Sequence, residues 1–345
     1  MPPQTINGES VQSLANWTAG WNKKAGRKVV FDPEDKILIP EGIHLGIPAV
    51  DNMLGDGFPR GRTTIFLGEA SSGKTLLAQL LIAAAQKEGG TCMFFDIERT
   101  FDPRWFKATG VDINSDKFIV ARPRNLEETF EMVIDALEKV RPDVIVVDSI
   151  PALVPRAIME TRMEKERMGL TAKRISDGVK LCTQTNQDCV LVFINQPRIS
   201  LGVTFGNPET MPGGKQLLFS STILVRTRRG AWILEDDDEK ENMDGDTKKE
   251  KNRAGFILKL RTERNKIFRP FEDSTLEFRF DGSIDWISSL VHDALVAGTI
   301  TSPSKGYFES GLWEGKIHGR EKVETMIRKD KELKDELTRR TGNSK

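Results

Sequence analysis

The segment that decides the fold is residues 68–75, GEASSGKT, which fits the phosphate-binding pattern G-x-x-x-x-G-K-[ST]. In this pattern, glycines allow backbone N–H groups to turn toward a phosphate, and the helix that follows adds its positive N-terminus. The lysine reaches the β- and γ-phosphates, and the threonine hydroxyl contacts Mg²⁺. The segment therefore predicts a nucleotide-binding loop made of Gly68, Glu69, Ala70, Ser71, Ser72, Gly73, Lys74 and Thr75.

The residues around this loop, from about 60 to 196, alternate short apolar runs with longer segments of helical periodicity. The apolar runs, rich in β-branched residues, are 63–67, 91–95, 118–120, 144–147 and 190–194. The helical segments are 74–86, 126–140 and 169–187. Nearly continuous apolar strands separated by helices indicate a parallel sheet covered on both faces, and so an α/β fold.

Composition excludes several classes of protein. The chain has 345 residues, and its 51 Lys+Arg balance its 51 Asp+Glu, so nucleic-acid binding would have to rest on local loops rather than on bulk charge. Three cysteines without Cys-x-x-Cys spacing and three scattered histidines argue against a disulfide scaffold, a zinc site or a His-based metalloenzyme. With no long apolar run and no secretory signal, we expect a cytoplasmic protein with no membrane partner.

Polar residues follow three of the predicted strands, where the carboxyl ends of parallel strands would share one edge of the sheet. A strand-end aspartate is often only a helix cap, but beside a phosphate loop Asp148 is predicted to lie near Mg²⁺. Glu98 could orient and deprotonate an attacking water, although its spacing leaves a surface salt bridge equally open. The Gln196 amide could hydrogen-bond the γ-phosphate and respond to its loss.

Two irregular, partly basic segments, 156–168 and 197–216, leave the same predicted edge. Loops of this length inside a compact domain are usually functional or disordered. Basic loops suit contacts with the backbone of single-stranded nucleic acid, and ordinary surface loops remain the alternative. The candidate residues for binding nucleic acid are Arg156, Arg162, Lys165, Arg167, Arg198, Phe205, Gly213 and Gly214.

After residue 220 the pattern changes to strands without intervening helices, at 223–225, 256–258 and 276–280, which predicts a meander that extends the sheet. The acidic segment 235–246 is interpreted as a solvated hairpin tip rather than a calcium loop, because lysines occupy key ligand positions.

Two composition shifts divide the chain into an N-terminal segment, 1–36, a core, 37–283, and a small C-terminal domain, 284–345. The N-terminal segment is helix-like over 11–24. The last domain is predicted to have a helix over 287–297, a strand at 306–308 and a charged helix over 321–340.

With these motifs the chain resembles the bacterial RecA recombinase family, including its phage-borne relatives, from about residue 40 to 340. The most specific stretches are DIERTFDPRWFKATGVD at 96–112 and FINQPRISLGVTFGNPETMPGG at 193–214. The resemblance implies a RecA-type P-loop ATPase core with a mostly parallel sheet covered by helices. It also implies a small α+β C-terminal domain and a short N-terminal helical segment for protomer docking, although that segment matches the family only loosely.

Carried over by position, the resemblance implies that Glu98 is the catalytic glutamate and Gln196 the γ-phosphate sensor. Asp102 and Trp105 fall where the family contacts adenine, and Trp105 replaces the usual tyrosine with another flat ring. Lys74, Thr75 and Asp148 keep the roles that the phosphate loop and the strand end already indicated.

The resemblance also assigns residues to DNA and to the neighbouring subunit. Segments 156–168 and 197–209 match the family's two DNA-binding loops, and Lys173 follows the first on a basic position of the family. Arg264 and Lys266 correspond to a lysine pair that reaches the neighbour's ATP. Phe219 falls where the family places an interface aromatic, whereas the sequence without the resemblance favours a core position for it.

The implied function is a DNA-dependent ATPase that uses ATP and Mg²⁺ and forms a homo-oligomeric helical filament on single-stranded DNA. Such a filament pairs its strand with homologous duplex DNA and exchanges strands, in recombination and repair. Two alternatives stay open, an accessory ATP- and DNA-binding protein that modulates another recombinase and a ring-forming helicase or translocase. The long acidic tail typical of bacterial members is absent.

Overall fold

The computed structural model describes residues 5–6, 9–10, 12–35, 38–39, 41–160, 168–199, 209–236 and 251–342. The chain forms two compact units, Met1–Pro40 and Glu41–Lys345. Of the predicted site residues, Arg162, Lys165, Arg167 and Phe205 lie outside the described residues, as does most of the acidic segment 235–246. Within the described ranges, no helix is long and apolar enough to cross a membrane.

The first unit contains one helix and a short strand pair. Strands β1 (Thr5–Ile6) and β2 (Glu9–Ser10) are antiparallel and precede α1 (Leu14–Ala25). The side chain of Ser13 caps α1 by accepting from the backbone N–H of Asn16, and Gly26 ends the helix in the left-handed conformation. The predicted N-terminal helix is therefore confirmed, starting where a good cap residue occurs.

The second unit is built around a nine-stranded sheet. Its strands and helices as far as the second irregular segment are β3 (Gly42–Ile43), α2 (Pro48–Leu54), β4 (Phe58–Pro59), β5 (Arg62–Leu67), α3 (Lys74–Lys87), β6 (Cys92–Asp96), α4 (Pro103–Ala108), β7 (Phe118–Ala121), α5 (Leu126–Asp135), β8 (Val144–Asp148), α6 (Arg156–Glu160), α7 (Met168–Thr185), β9 (Val190–Asn195) and β10 (Arg198–Ile199). A π-helical turn, Ala136–Val140, continues α5.

The remaining elements are β11 (Glu209–Thr210), α8 (Gly214–Ser220), β12 (Ile223–Asp236), β13 (Lys251–Asn265), β14 (Asp273–Arg279), β15 (Ile284–Asp285), α9 (Ile287–Val296), β16 (Ile300–Ser304), β17 (Tyr307–Ser310), β18 (Ile317–His318), α10 (Arg320–Lys329) and α11 (Lys331–Gly342). The strand order of the large sheet is β15-β14-β13-β12-β5-β9-β8-β6-β7. Strands β12, β5, β9, β8, β6 and β7 are parallel, and β12 to β15 pair antiparallel. Both the α/β fold and the meander that extends its sheet are confirmed.

Each parallel strand is apolar on both faces because each face has its own core. Along β6, Cys92 and Phe94 pack into one cluster with α3, whereas Met93 and Phe95 pack into a second cluster with α5 and α7. Strand β8 alternates in the same way. Burial on both sides explains why these strands read as continuous apolar runs in the sequence.

The C-terminal residues build a third apolar cluster from α9, β16, β17, α10 and α11. The predicted single helix over 321–340 is wrong, because Asp330 is extended, with φ −112° and ψ 101°, and separates α10 from α11. The Asp330 carboxylate accepts from the backbone N–H of Leu333 and so caps α11. Because helical periodicity continues across Asp330, the sequence pattern did not predict the break between the two helices. The division at residue 283 stays a prediction.

The close approach of Gly282 to α4 gives a test of the packing around the site. Gly282 has a φ of +91°, and a Cβ there would lie 1.9 Å from the carbonyl oxygen of Ala108, whereas Gly298, with a φ of +73°, has nothing within 4 Å. We expect Gly298→Ala to lower the free energy of unfolding by about 1 kcal/mol through backbone strain alone. Gly282→Ala should lower it by at least ~2 kcal/mol more, because the clash adds to the strain. Urea denaturation measures both, and equal losses would contradict the packing of Gly282 against α4.

Candidate active site

The phosphate loop connects the centre of the sheet to a buried helix. Strand β5 ends at Leu67, the loop follows, and α3 begins at Lys74. Ser71 and Gly73 have positive φ values of 56° and 90°. At Gly68 a Cβ would lie 2.3 Å from the Ser72 hydroxyl and 2.5 Å from the Thr227 carbonyl oxygen, so the first glycine of the motif is required by crowding.

Two hydrogen bonds tie this loop to neighbouring strands. The hydroxyls of Ser72 and Thr227 lie 2.7 Å apart in a buried contact. The backbone N–H of Gly68 donates to the carbonyl oxygen of Asn195 at 3.3 Å. The loop is thus held from β12 on one side and from β9 on the other, which fixes the direction of its backbone N–H groups.

Lys74 supplies the positive charge of the loop. Its Nζ donates to the carbonyl oxygens of Gly68 at 3.0 Å and Glu69 at 2.6 Å, so the ammonium group lies against the loop. Burial lowers the pKa of Lys74, and the nearby carboxylates of Asp148 and Glu98 oppose this shift. An ammonium group at a helix N-terminus attracts phosphate by charge and by the helix dipole.

Thr75 and Asp148 meet beneath the loop. The Thr75 hydroxyl donates to Asp148 Oδ2 at 2.7 Å, and Asp148 is only 3% exposed. Burial raises the pKa of Asp148 to about 6, and Glu98 adds to this shift while the hydrogen bond from Thr75 opposes it. A buried carboxylate beside a hydroxyl, with its charge poorly compensated, fits Mg²⁺, which prefers oxygen ligands.

Glu98 lies beside this pair on the turn that follows β6. The Ser149 hydroxyl hydrogen-bonds Glu98 Oε1, and the backbone N–H groups of Ile97 and Glu98 donate to the carbonyl oxygen of Asp148 at 2.8 and 3.2 Å. The glutamate is exposed, yet its position is set by the end of β8. No role was predicted for Ser149, although it directly follows Asp148 at the strand end that the sequence indicated.

Asp96 holds the turn that carries Glu98. Its buried carboxylate accepts from the backbone N–H groups of Thr100 at 2.8 Å and Phe101 at 3.3 Å. The Arg122 guanidinium pairs with Asp96 at 2.7 Å and compensates its charge. This role was not predicted, because nothing in the local sequence links Asp96 to Arg122, which follows β7.

An aromatic cavity of about 320 Å³ opens beside the phosphate loop. It is lined by residues 71–76 together with Trp105, Phe256 and Phe278. Trp105 is 38% exposed and packs edge-on against Phe278, with ring centroids 5.7 Å apart. Phe256 and Phe278 come from the meander and were predicted only as strand residues, since no local pattern connects them to the loop.

Asp102 positions the helix that carries Trp105. It caps α4 by accepting from the backbone N–H of Arg104 at 2.8 Å, and its carboxylate also pairs with the Arg104 side chain. These hydrogen bonds lower the pKa of Asp102 to about 2. The structure does not place Asp102 among the residues that line the cavity of Trp105.

Gln196 lies on the other side of the loop, in a second cavity of about 760 Å³ that Glu69 and Ala70 also line. Its backbone N–H donates to Asn195 Oδ1 at 2.8 Å, and Asn195 Nδ2 donates to the carbonyl oxygen of Pro212 at 2.9 Å. Gln196, the predicted γ-phosphate sensor, therefore directly follows Asn195. The side-chain amide of Asn195 also binds Pro212, near the end of segment 197–216. That segment is shorter than predicted, since α8 begins at Gly214.

The described DNA-binding candidates surround this edge of the sheet. Arg156 begins α6 and donates its backbone N–H to Glu127, and Lys173 is exposed on α7. Arg198 lines a smaller cavity of about 230 Å³ that Gly213 also borders. Gly213 and Gly214 have φ values of 88° and 70° and begin α8. The structure thus brings α6, α7, Arg198 and Gly213 around one cavity.

Arg264 is the penultimate residue of β13 and Lys266 directly follows the strand, and neither lines the cavities described above beside the phosphate loop. Arg264 donates to the carbonyl oxygen of Leu218 and Lys266 to that of Phe219, each at 2.8 Å. Both cations thus lie at the C-terminal end of α8, where positive charge is favoured. Phe219 is 59% exposed, so the core position that its sequence context favoured is wrong.

Comparisons with known proteins identify the family of this chain. Residues 19–285 match the family model described as the RecA N-terminal domain. A RecA protein of Thermus aquaticus is 36% identical over 332 residues, which cover 94% of this chain and 92% of that relative. A RecA protein of a Wolbachia strain of Drosophila simulans is 31% identical over 97% of this chain and 90% of its own. A mitochondrial DNA repair protein of Dictyostelium discoideum, described as a recA homolog, is 35% identical over 84% of this chain and 61% of its own length.

The raised pKa of Asp148 predicts a pH-dependent effect on stability in metal-free protein. The carboxyl is harder to ionise in the folded state than in the unfolded state, so stability falls as pH rises from about 4 to about 6. Asp148→Asn removes this charge but keeps an oxygen that can accept from Thr75. Relative to the unmodified protein, the variant should gain about 1 kcal/mol between pH 5 and pH 7.5. Urea denaturation at the two pH values measures this gain, and a pH-independent difference would contradict the burial of the charge.

Proposed function

Because the chain belongs to the RecA family, we propose that it is a DNA-dependent ATPase of the cytoplasm that forms helical filaments on single-stranded DNA. The filament pairs this strand with homologous duplex DNA and exchanges strands, in recombination and repair. One observation carries the proposal: Lys74, the Thr75–Asp148 pair and Glu98 meet at the sheet edge from which segment 197–213 leaves.

The residues at this edge have distinct roles toward ATP. The phosphate loop and Lys74 bind the phosphates, and Trp105 faces the adenine from the aromatic cavity. Thr75 and Asp148 would hold Mg²⁺, which when bound compensates the charge on the phosphates. Glu98, held by Ser149, orients the attacking water and accepts its proton.

A complete site requires two subunits in this proposal. Arg264 and Lys266 are not among the residues lining the aromatic cavity of their own chain, and Phe219 beside them is exposed. Arg264 and Lys266 would contact the ATP site of the next subunit, where they stabilise charge that develops during phosphoryl transfer, and Phe219 would lie in the interface between the subunits. Hydrolysis and filament assembly are then coupled, because neither protomer alone has the whole site.

DNA binding would come from two segments, 156–168, which begins with α6, and 197–213. Their basic residues contact phosphates, so affinity should depend strongly on salt and little on base sequence. Gln196 directly precedes the second segment. In this proposal it contacts the nucleotide, and the segment that follows it contacts DNA. Recognition of homology is left to base pairing between strands.

The two alternative functions are not favoured. The relatives quoted above are named RecA or recA homolog and match most of this chain. A strand-invasion assay with the purified protein separates a recombinase from an accessory protein. Negative-stain electron microscopy separates helical filaments from the rings of a helicase.

The decisive test of the proposal is ATP turnover with and without single-stranded DNA, in parallel with electron microscopy of the same mixtures. We expect DNA to accelerate hydrolysis and to produce helical filaments in the presence of ATP. Turnover that ignores DNA, with no filaments formed, would overturn the proposed function.

Glu98→Gln tests the catalytic carboxylate. The amide keeps the size of the side chain but cannot accept the proton of the attacking water, so turnover should fall by at least about 100-fold. ATP-dependent filaments should still form and should persist. The matched control is Glu88→Gln, which alters an exposed glutamate paired with Arg60 at 3.7 Å and should turn over ATP normally. Normal turnover by Glu98→Gln would assign Glu98 a structural role.

A mixing experiment tests the shared site. Arg264→Ala and Asp148→Asn should each abolish DNA-dependent hydrolysis alone, since each removes a different half of the site. Arg264→Ala keeps the half of the site that contains Asp148, and Asp148→Asn keeps the half that contains Arg264. In a random equimolar mixture, about a quarter of interfaces would combine these two intact halves and regain activity. Mixtures that stay inactive, while both variants still bind DNA, would contradict a site shared between subunits.

A further inference from the structure

A cluster of three charged side chains lies beside the second cavity and belongs to none of the roles above. Arg226 Nη1 and Nη2 donate to the two carboxylate oxygens of Glu209 at 2.8 and 2.6 Å. Arg226 also pairs with Glu263 through Nε, and through Nη2 at 3.1 Å. The arginine side chain is 11% exposed and each glutamate about a third or less, so the cluster is largely screened from water.

Arg226 occupies a particular place in the sheet. It is the residue of β12 that pairs with Leu67, which directly precedes the phosphate loop. Leu67 in turn pairs with Asn195, which directly precedes Gln196. Arg226 therefore lies in register with the start of the phosphate loop and with the predicted γ-phosphate sensor. Its side chain lines the same cavity as Gln196 and Glu69.

Glu209 is the first described residue after Ile199. It begins β11, which pairs with β10 through Ile199↔Glu209 and Arg198↔Thr210. The Thr210 hydroxyl adds a hydrogen bond to the carbonyl oxygen of Arg198 at 3.1 Å. The stem formed by β10 and β11 is thus attached to the sheet through the Glu209–Arg226 ion pair, in addition to the Asn195 amide.

Glu263 extends the connection to a third element. It lies on β13 directly before Arg264, the residue proposed to reach the next subunit, and its carboxylate is held by Arg226. One guanidinium consequently joins the stem of the DNA-binding segment, the strand end beside the phosphate loop and the strand that carries Arg264. A planar guanidinium with five donors can make such bidentate contacts, whereas lysine cannot.

From this geometry we infer that Arg226 is a positioning residue that couples DNA binding to ATP turnover by holding the β10–β11 stem against the phosphate-loop edge through Glu209. The inference rests on the proposed function, since it assigns the stem to the DNA-binding segment. This role requires no contact between Arg226 and either ATP or DNA. It acts by fixing where the stem stands relative to Gln196.

The charges explain why removal of Arg226 should release the stem. The cluster contains one positive and two negative groups, so a neutral residue at 226 would leave Glu209 and Glu263 as partly buried like charges without their counter-ion. The Arg226 guanidinium also holds the pKa of Glu209 below its usual value, because the ion pair favours the ionised carboxylate. Repulsion would then favour stem positions away from β13.

The experiment uses full-length Arg226→Met, Arg226→Lys and Glu209→Gln, and the Arg226→Met/Glu209→Gln double variant. The readout is the ratio of ATP turnover with single-stranded DNA to turnover without it. We expect Arg226→Met to lower this ratio about tenfold and Arg226→Lys to restore part of the loss. The double variant should show little loss beyond that of Arg226→Met, because both residues act through one contact.

Arg60→Met is the matched control, since Arg60 forms a partly buried ion pair with Asp143 at 2.6 Å at the opposite end of the sheet. It should lower thermal stability without changing the stimulation ratio. If Arg226→Met fails to fold, Glu209→Gln tests the inference instead, because this variant leaves Arg226 paired with Glu263. It should lower the ratio several-fold by itself.

Hydrogen exchange of the DNA-free proteins supplies a readout independent of turnover. Faster exchange in Arg226→Met, confined to 198–199 and 209–213, supports the inference, and unchanged exchange there overturns it. A wild-type stimulation ratio in Arg226→Met, or losses that simply add in the double variant, overturns the coupling while the proposed function stands. A wild-type protein that ignores DNA overturns the proposed function and the coupling with it.

Discussion

The in-register parallel pairing of β5, β9, β8 and β6 is the constraint on which the site depends. Because these strands run in the same direction, their carboxyl ends meet at one edge of the sheet. The phosphate loop and the residues proposed to act with it lie at or just after these strand ends. A shift of one residue in any pair would turn strand side chains to the opposite face and separate Thr75 from Asp148. The two apolar cores, one on each face of the sheet, make such shifts unfavourable.

The buried charge of Asp148 at this edge lowers the stability of the folded state. A carboxylate buried as deeply as Asp148 raises the free energy of the folded state, and among the described residues a hydroxyl and a nearby ammonium group partly compensate its charge. The same partly compensated charge favours a divalent cation. In the proposed function, stability and metal binding are therefore opposed at Asp148.

The edge also brings together elements that must respond to one another. Asn195 contacts the phosphate loop through its backbone carbonyl oxygen and, through its side-chain amide, Pro212 at the end of the segment proposed to bind DNA. Arg226 makes a second, ionic connection to the same segment. A nucleotide on one side and a DNA strand on the other would thus act on a small set of shared contacts, which is the structural requirement for energetic coupling between two sites.

The sequence by itself determined the phosphate loop, the alternation of strands and helices, the strand-end residues and the family, because these signals are local and periodic. Only the tertiary structure decided which distant residues meet. Arg226 pairs with residues 17 and 37 positions away, and Thr227 reaches Ser72 across 155 positions. Such contacts depend on strand order and register, which no local pattern encodes. The exposure of Phe219 and the helix break at Asp330 were also decided there, by packing and capping that override helical periodicity.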